Sequence, residues 1–122
     1  MSSAEAADTD PECLFCGIVS GNVPANVVHE SDRTVAFRDV NPQAPTHVLV
    51  IPRRHAADLA ALAAAEPAAV TAIADAVADI ALAEGLGEGY RVVFNTGARA
   101  GQTVFHAHAH VLGGRDLSWP PG

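Results

Sequence analysis

Between Phe105 and Leu112 the chain sets a histidine at every second position: His106, His108 and His110, with Ala107, Ala109 and Val111 interleaved. On an extended strand alternate side chains share a face, so this spacing lines up three imidazoles, each roughly 6 to 7 Å from the next. Phe105, Ala107, Ala109 and Val111 would form the opposite, core-facing side. A single histidine on a strand is ordinarily structural. Three in phase, in a chain with six histidines in all, point to chemistry. A metal site can use such a row, because His-x-His on a strand offers two ligands. His106 and His110, however, would have Cα atoms roughly 13 Å apart and could meet one ion only from nearly opposite sides. The other use is nucleophilic catalysis, in which one imidazole attacks while its neighbours stabilise charge or shuttle protons. The spacing favours a shared phosphate over a three-histidine cage.

Other residues carry reactive groups. Cys13 and Cys16 form a CxxC pair, the only cysteines of the chain. In a reducing compartment that spacing points to a metal or redox pair more than to a structural disulfide. His47 opens an apolar run, where it could be a satisfied core histidine or part of a site. Asp39 is a carboxylate closing an otherwise apolar strand. Arg53, Arg54, Arg99 and Arg115 could bind phosphate by chemistry alone. Surface placement is the simpler reading for each, and Arg99 is closest to the triad through the glycine-rich turn.

These groups must be held by elements that the periodicity outlines. CLFCGIVS (Cys13 to Ser20) carries apolar residues at Leu14, Phe15, Ile18 and Val19, a short helical stripe ending at Gly21. Pro24 forces an extended entry into the strand VVHES, and the alternating TVAFRDV (Thr34 to Val40) is a second strand. Asn41 to Pro45 is a turn by its prolines. HVLVIP (His47 to Pro52) is a third strand, deep in the sheet. The alanine-rich segment from about Pro67 to Glu84 is the main helix, with Val70, Ile73, Val77 and Ile80 as its buried stripe. Pro67 suits its first turn, and Gly85 and Gly87 suit its end. YRVVFN (Tyr90 to Asn95) and VFHAHAHVL (Val104 to Leu112) are the fourth and fifth strands, joined like a hairpin by the glycine-rich turn from Thr96 to Gly101. The fold class is α+β: an antiparallel sheet of about five strands with one long helix and shorter ones.

The bulk properties narrow the function. With 122 residues and 49% of them apolar, the chain can build one compact domain. Residues 1–11 read as a disordered tail and 12–122 as the single domain. All seven basic residues are arginine and the net charge is −7, which argues against binding duplex nucleic acid. The opening MSSAEAADTD lacks the basic and apolar regions of a signal peptide. Glu66, Asp75, Asp79 and Glu84 break the alanine-rich run well short of a membrane span. The expectation is a cytoplasmic protein without a membrane partner. YRVVFN, as an edge strand, would need cover, which a partner could supply.

The segment GQTVFHAHAHVLGGR resembles the motif of the histidine-triad superfamily, and CLFCGIVSGNVPANVVHESD, VAFRDVNPQAPTHVLVIPRRH and the terminal SWPPG are similar to its Hint branch, the nucleoside phosphoramidases. The resemblance runs from Cys13 to Gly122. It implies that His108 is the nucleophile, attacking an α-phosphorus to give a nucleotidyl-imidazole that water hydrolyses. It implies that His47 and His110 flank the phosphate as donors, that Asn95 and Thr103 contact it, and that Gly101 and Gln102 belong to the nucleotide-binding set. Thr103 departs from the serine common in this branch; the hydroxyl survives, and the added methyl bears on substrate breadth. Phe15, Ile18, Asp39 and Val40 match the nucleoside pocket, although the three apolar ones could equally be plain core. Cys13, Cys16, His55 and His106 match a structural zinc site of bacterial relatives, with free thiols or a redox pair as alternatives. The implied substrate is a purine nucleotide and the implied assembly a homodimer, with Trp119 reaching toward the partner's site. A dinucleotide-polyphosphate hydrolase or nucleotidyltransferase would use the same nucleophile. A nucleotide-binding scaffold would not need it.

Overall fold

The computed structural model describes residues 8–122. In chain order it contains α1 (Leu14–Ser20), β1 (Val27–Glu30), β2 (Thr34–Arg38), β3 (Thr46–Pro52), α2 (Leu59–Ala65), α3 (Pro67–Ala83), β4 (Tyr90–Phe94), a 3-10 turn (Ala98–Ala100) and β5 (Ala109–Gly113). The five strands form one antiparallel sheet in the order β1-β2-β3-β5-β4. The α+β expectation holds. Among the described residues no helix is long and apolar enough to cross a membrane.

Both faces of the central strands are covered. Ala36, Val48, Val50, Ala109 and Val111 meet Ile73, Ala76, Val77 and Ile80 of α3 on one face. Val35, Phe37, Leu49 and Ile51 meet Phe15 of α1 on the other, with Ile18 and Val19 packed alongside. β2 is therefore buried along nearly its whole length. α1 supplies the second cover, although Leu14, expected in its buried stripe, faces outward. The stripe of α3 is as expected at Ile73, Val77 and Ile80, extended by Ala69, Ala76 and Ala81, whose small side chains let the helix approach the sheet. α2 is a separate helix. Asp58 caps it by accepting the Ala61 N–H (2.9 Å), and Glu66, preceding Pro67, leaves helical geometry at φ −151°.

Several expectations need correction. The fifth strand starts at Ala109, not Val104, so only His110 of the alternating histidines lies on it. Pairing with β3 stops at Val50 opposite Ala109 because the preceding residues have other partners. The Ala107 N–H donates to Ala56 O (2.7 Å), and the His106 ring bonds Pro52 O (2.8 Å). Phe105, expected in the core, is half exposed. The β4–β5 connection is no tight hairpin either: Gln102 fills it, accepting the Gly97 N–H and donating to Ala57 O and Val104 O. Of the expected tail, residues 1–7 lie outside the described residues, while Asp8 and Asp10 are tied to the domain. The His55 N–H donates to Asp8 O (2.7 Å), Arg54 pairs with the Asp8 carboxylate (2.8 Å), and the Cys13 N–H donates to Asp10 O (3.0 Å).

Candidate functional site

Two polar clusters sit on the α1 side of the sheet, joined by the segment that leads into β5. Strand alternation puts His47 and His110 on the same face as Leu49, and Leu49 stands directly opposite His110 across the β3–β5 pair. The imidazoles meet diagonally, with His47 Nε2 2.9 Å from His110 Nδ1. His47 is buried and His110 half-buried.

The backbone fixes which nitrogens hold protons. The Gln43 N–H donates to His47 Nδ1 (3.0 Å), so that nitrogen carries the lone pair and Nε2 the proton. His47 Nε2–H then donates to His110 Nδ1, which leaves His110 with a proton on Nε2 to offer a ligand. Burial, reinforced by the charges of His108 and His47, pushes the His110 pKa down to about 4. Burial also lowers His47, against the pull of Asp39, whose Oδ2 lies 3.4 Å from Nε2. Both rings are neutral at physiological pH. Because both nitrogens of His47 are engaged inside the protein, it stands behind His110 rather than beside it. Asp39, His47 and His110 could also be read as a cation triad. The 2.9 Å nitrogen separation is that of a hydrogen bond, and a metal on Nε2 would turn the Nδ1 proton onto the Gln43 N–H.

His108 is buried with one edge free. Its Nδ1–H donates to the His106 carbonyl (2.7 Å), which in the neutral ring places the lone pair on Nε2. Phe15 meets it edge to face at 5.1 Å, and the His110 ring lies 5.0 Å away.

The second cluster joins Cys13, Cys16, His55 and His106. Cys13 is the N-cap of α1, its sulfur accepting the Cys16 N–H (3.4 Å), and the Asp10 N–H points at Cys16 Sγ (3.4 Å). Backbone donors aimed at sulfur favour thiolates, yet burial pushes the Cys16 thiol up to about 11, partly offset by the Asp10 N–H. His106 donates Nε2–H to Pro52 O, which leaves Nδ1 as a lone pair, and burial pushes its pKa down to about 4. Three heavy atoms crowd that one lone pair: His55 Nδ1 at 3.2 Å, Cys13 Sγ at 3.5 Å and Cys16 Sγ at 3.6 Å. Cys16 Sγ and His55 Nδ1 are 3.4 Å apart. Bond lengths around tetrahedral zinc give edges of about 3.3 Å between nitrogens and about 3.6 Å between nitrogen and sulfur. The donor set and its spacing fit a two-thiolate, two-imidazole metal site.

The remaining predicted residues are dispersed. Phe15 packs in the core against Phe37 and His108, with Ile18 beside it. Val40 is fully exposed just past β2. Asn95 donates to Ala100 O (2.7 Å), Gly101 takes the left-handed φ of +89° that ends the 3-10 turn, and Gln102 is spent inside the loop. Thr103 is exposed at the rim of a cavity of about 290 Å³ that it shares with Cys13, His55 and Phe105. A cavity of about 540 Å³ around Leu86, Tyr90, Arg91 and Arg115 includes none of the candidate residues. Sequence reasoning missed the Gln43 N–H and the Pro52 and His106 carbonyls, because main-chain groups carry no residue-type signal.

The sequence pattern of the family described as the HIT domain matches residues 20–117. The chain belongs to the HIT-domain family. An uncharacterized HIT-like protein of Synechococcus elongatus is 50% identical over 111 residues, covering 91% of this chain and 97% of its own. A protein of Zea mays called a 14 kDa zinc-binding protein is 43% identical over 116 residues, covering 93% and 90%. The crystal structure of a HIT family hydrolase from Legionella pneumophila superposes with a TM-score of 0.87 at 47% identity, over 91% of this chain and all of that one. In this HIT domain the alternating histidines divide between the two clusters, with His106 facing the sulfurs and His110 facing His47.

Proposed function

We propose that this HIT domain is a nucleotide hydrolase that cleaves the P–N bond of purine nucleoside 5′-phosphoramidates through a covalent intermediate on His108. The observation that carries this reading is the 2.7 Å bond from His108 Nδ1–H to the His106 carbonyl. In the neutral ring it presents Nε2 as a lone pair beside His110. Attack by Nε2 forms the P–N bond to imidazole as the substrate P–N bond breaks. The departing nitrogen keeps that electron pair and leaves as an amine after taking a proton from solvent. The ring then carries positive charge, and its bond to the His106 carbonyl strengthens, which favours the transition state over the ground state. His110 Nε2–H donates to a non-bridging oxygen, with His47 holding it in that tautomer. Water then attacks the phosphorus, the bond to Nε2 breaks, and the nucleotide leaves. Thr103 and Asn95 border the phosphate, and Asp39 accepts from ribose hydroxyls.

Cys13, Cys16, His55 and His106 hold a structural zinc in this reading, supported by the tetrahedral spacing and by the zinc-binding relative from maize. The functional unit is a homodimer in which β4, an edge strand with Tyr90 and Val92 exposed, pairs with its copy.

The test is release of AMP from adenosine 5′-phosphoramidate by the wild type and by His108→Ala. The expected loss is several orders of magnitude, on the order of 10⁴-fold or more, because the covalent route goes with the nucleophile. Equal activity of the two would remove His108 from the mechanism. Inert phosphoramidate alongside cleaved diadenosine polyphosphate would keep the nucleophile and replace the leaving group.

A further inference from the structure

The two clusters share one residue, and it is shared in two ways. The His106 side chain belongs to the Cys/His tetrad through Nδ1, while its backbone carbonyl accepts the Nδ1–H of His108. Between β5 and the loop before it, no strand pairing holds this segment. His106 is held instead by the tetrad, by Pro52 O on its Nε2–H, by the Phe15 ring packed edge-on at 6.0 Å, and by the neighbouring Ala107 N–H to Ala56 O. The tetrad is assembled from far apart, Cys13 and Cys16 lying 93 and 90 positions from His106 and His55 lying 51 away. Three neighbours, His55 Nδ1, Cys13 Sγ and Cys16 Sγ, lie within 3.6 Å of the single Nδ1 lone pair of His106, the spacing of ligands around one shared cation.

From this we infer that ligation of a divalent metal by Cys13, Cys16, His55 and His106 is what positions the nucleophile, by holding the His106 carbonyl that selects the Nε2 lone-pair form of His108. His106 is thus a positioning residue, and Pro52, whose carbonyl sets its ligating nitrogen, is another. The chain of contacts runs from Pro52 O to His106 Nε2–H, from His106 Nδ1 to the cluster, and from the His106 carbonyl to His108. A shift of about 1 Å in that carbonyl is enough to cost on the order of a hundredfold in a positioned reaction. Its effect on turnover rests on the proposed phosphoramidase reading. The effect on the His108 tautomer does not.

The experiment compares the full chain loaded with zinc, stripped with a chelator, and reloaded with cobalt(II), whose visible absorption reports tetrahedral sulfur and nitrogen ligation. Long-range proton–nitrogen NMR spectra read the tautomer of His108, and far-UV circular dichroism reads the fold. The loaded chain should show a single Nδ1–H form of His108. The stripped chain should keep its circular dichroism and its AMP affinity but show a mixture of both tautomers. Single-turnover cleavage should fall about a hundredfold and return with cobalt. His106→Cys, which keeps a four-ligand set, should bind cobalt and retain the His108 signature, while His106→Ala should lose both. An unchanged His108 spectrum in the stripped chain overturns the proposal. Global unfolding on stripping overturns it too, since the metal would then hold the whole domain rather than this segment. A loaded chain with the expected spectrum but no phosphoramidate cleavage leaves the coupling standing and refutes the proposed reaction.

Discussion

The imidazoles of this protein differ in role because main-chain groups assign their protons. Gln43 N–H fixes His47, His47 fixes His110, Pro52 O fixes His106, and His106 O fixes His108. His106, His108 and His110 were legible from their alternation and His47 through the resemblance, but these main-chain partners were not, since a backbone group has no residue type. Their burial has a consequence for acid stability. The folded pKa of His110 is about 4, below its ordinary value of 6.5. As pH falls below 6.5, unfolded chains take up a proton that folded ones refuse, so stability is full above 6.5 and declines toward pH 4. His47 is shifted in the same direction. The thermal midpoint of the wild type should therefore fall over this window. His110→Asn should flatten the fall, and equal slopes for both proteins would show that His110 does not titrate differently on folding.

Among the elements, α3 was the most legible because its apolar spacing and the terminal Pro67 agree. β5 was the least, since VFHAHAHVL alternates as a strand over its whole length and nothing in it announces where pairing stops. That end is dictated by β3, which has turned away by Pro52, and by Ala56, which claims the Ala107 N–H. α3 holds its sheet face through residues such as Ile73, which is 2% exposed. Ile73→Ala should destabilise the domain by about 2–5 kcal/mol, read as a lower denaturant midpoint at unchanged slope. A loss under about 0.5 kcal/mol, the range of surface substitutions, would mean that the helix does not seat on the sheet through this residue.

At the scale of the molecule, the sheet ends in β4, whose Tyr90 and Val92 are exposed along an unpaired edge. The proposed dimer covers it. Sedimentation should give twice the 12.5 kDa of one chain. Val92→Lys, which places a charge on the edge, should shift the species toward one chain. A wild type that sediments as a single chain at every concentration would exclude self-pairing. Nothing in the spacing of YRVVFN distinguishes an edge that is paired from one that is bare, so only burial after folding reveals the question.

The contact between His47 and His110 spans 63 positions of chain, and it forms only where β3 and β5 lie side by side at the centre of the sheet. Joining strands so distant in sequence requires closing a long loop before any pairing energy is gained, which is a slow event in folding. A site built on this contact is therefore expected to form late in folding, after any stage in which only the β1–β2 hairpin and α3 have formed. When denatured chains are diluted into buffer, the proposed AMP-forming activity should return with the slowest phase seen by fluorescence of Trp119 or by circular dichroism. Activity that returned ahead of that phase would place the site on a locally folded piece of the chain.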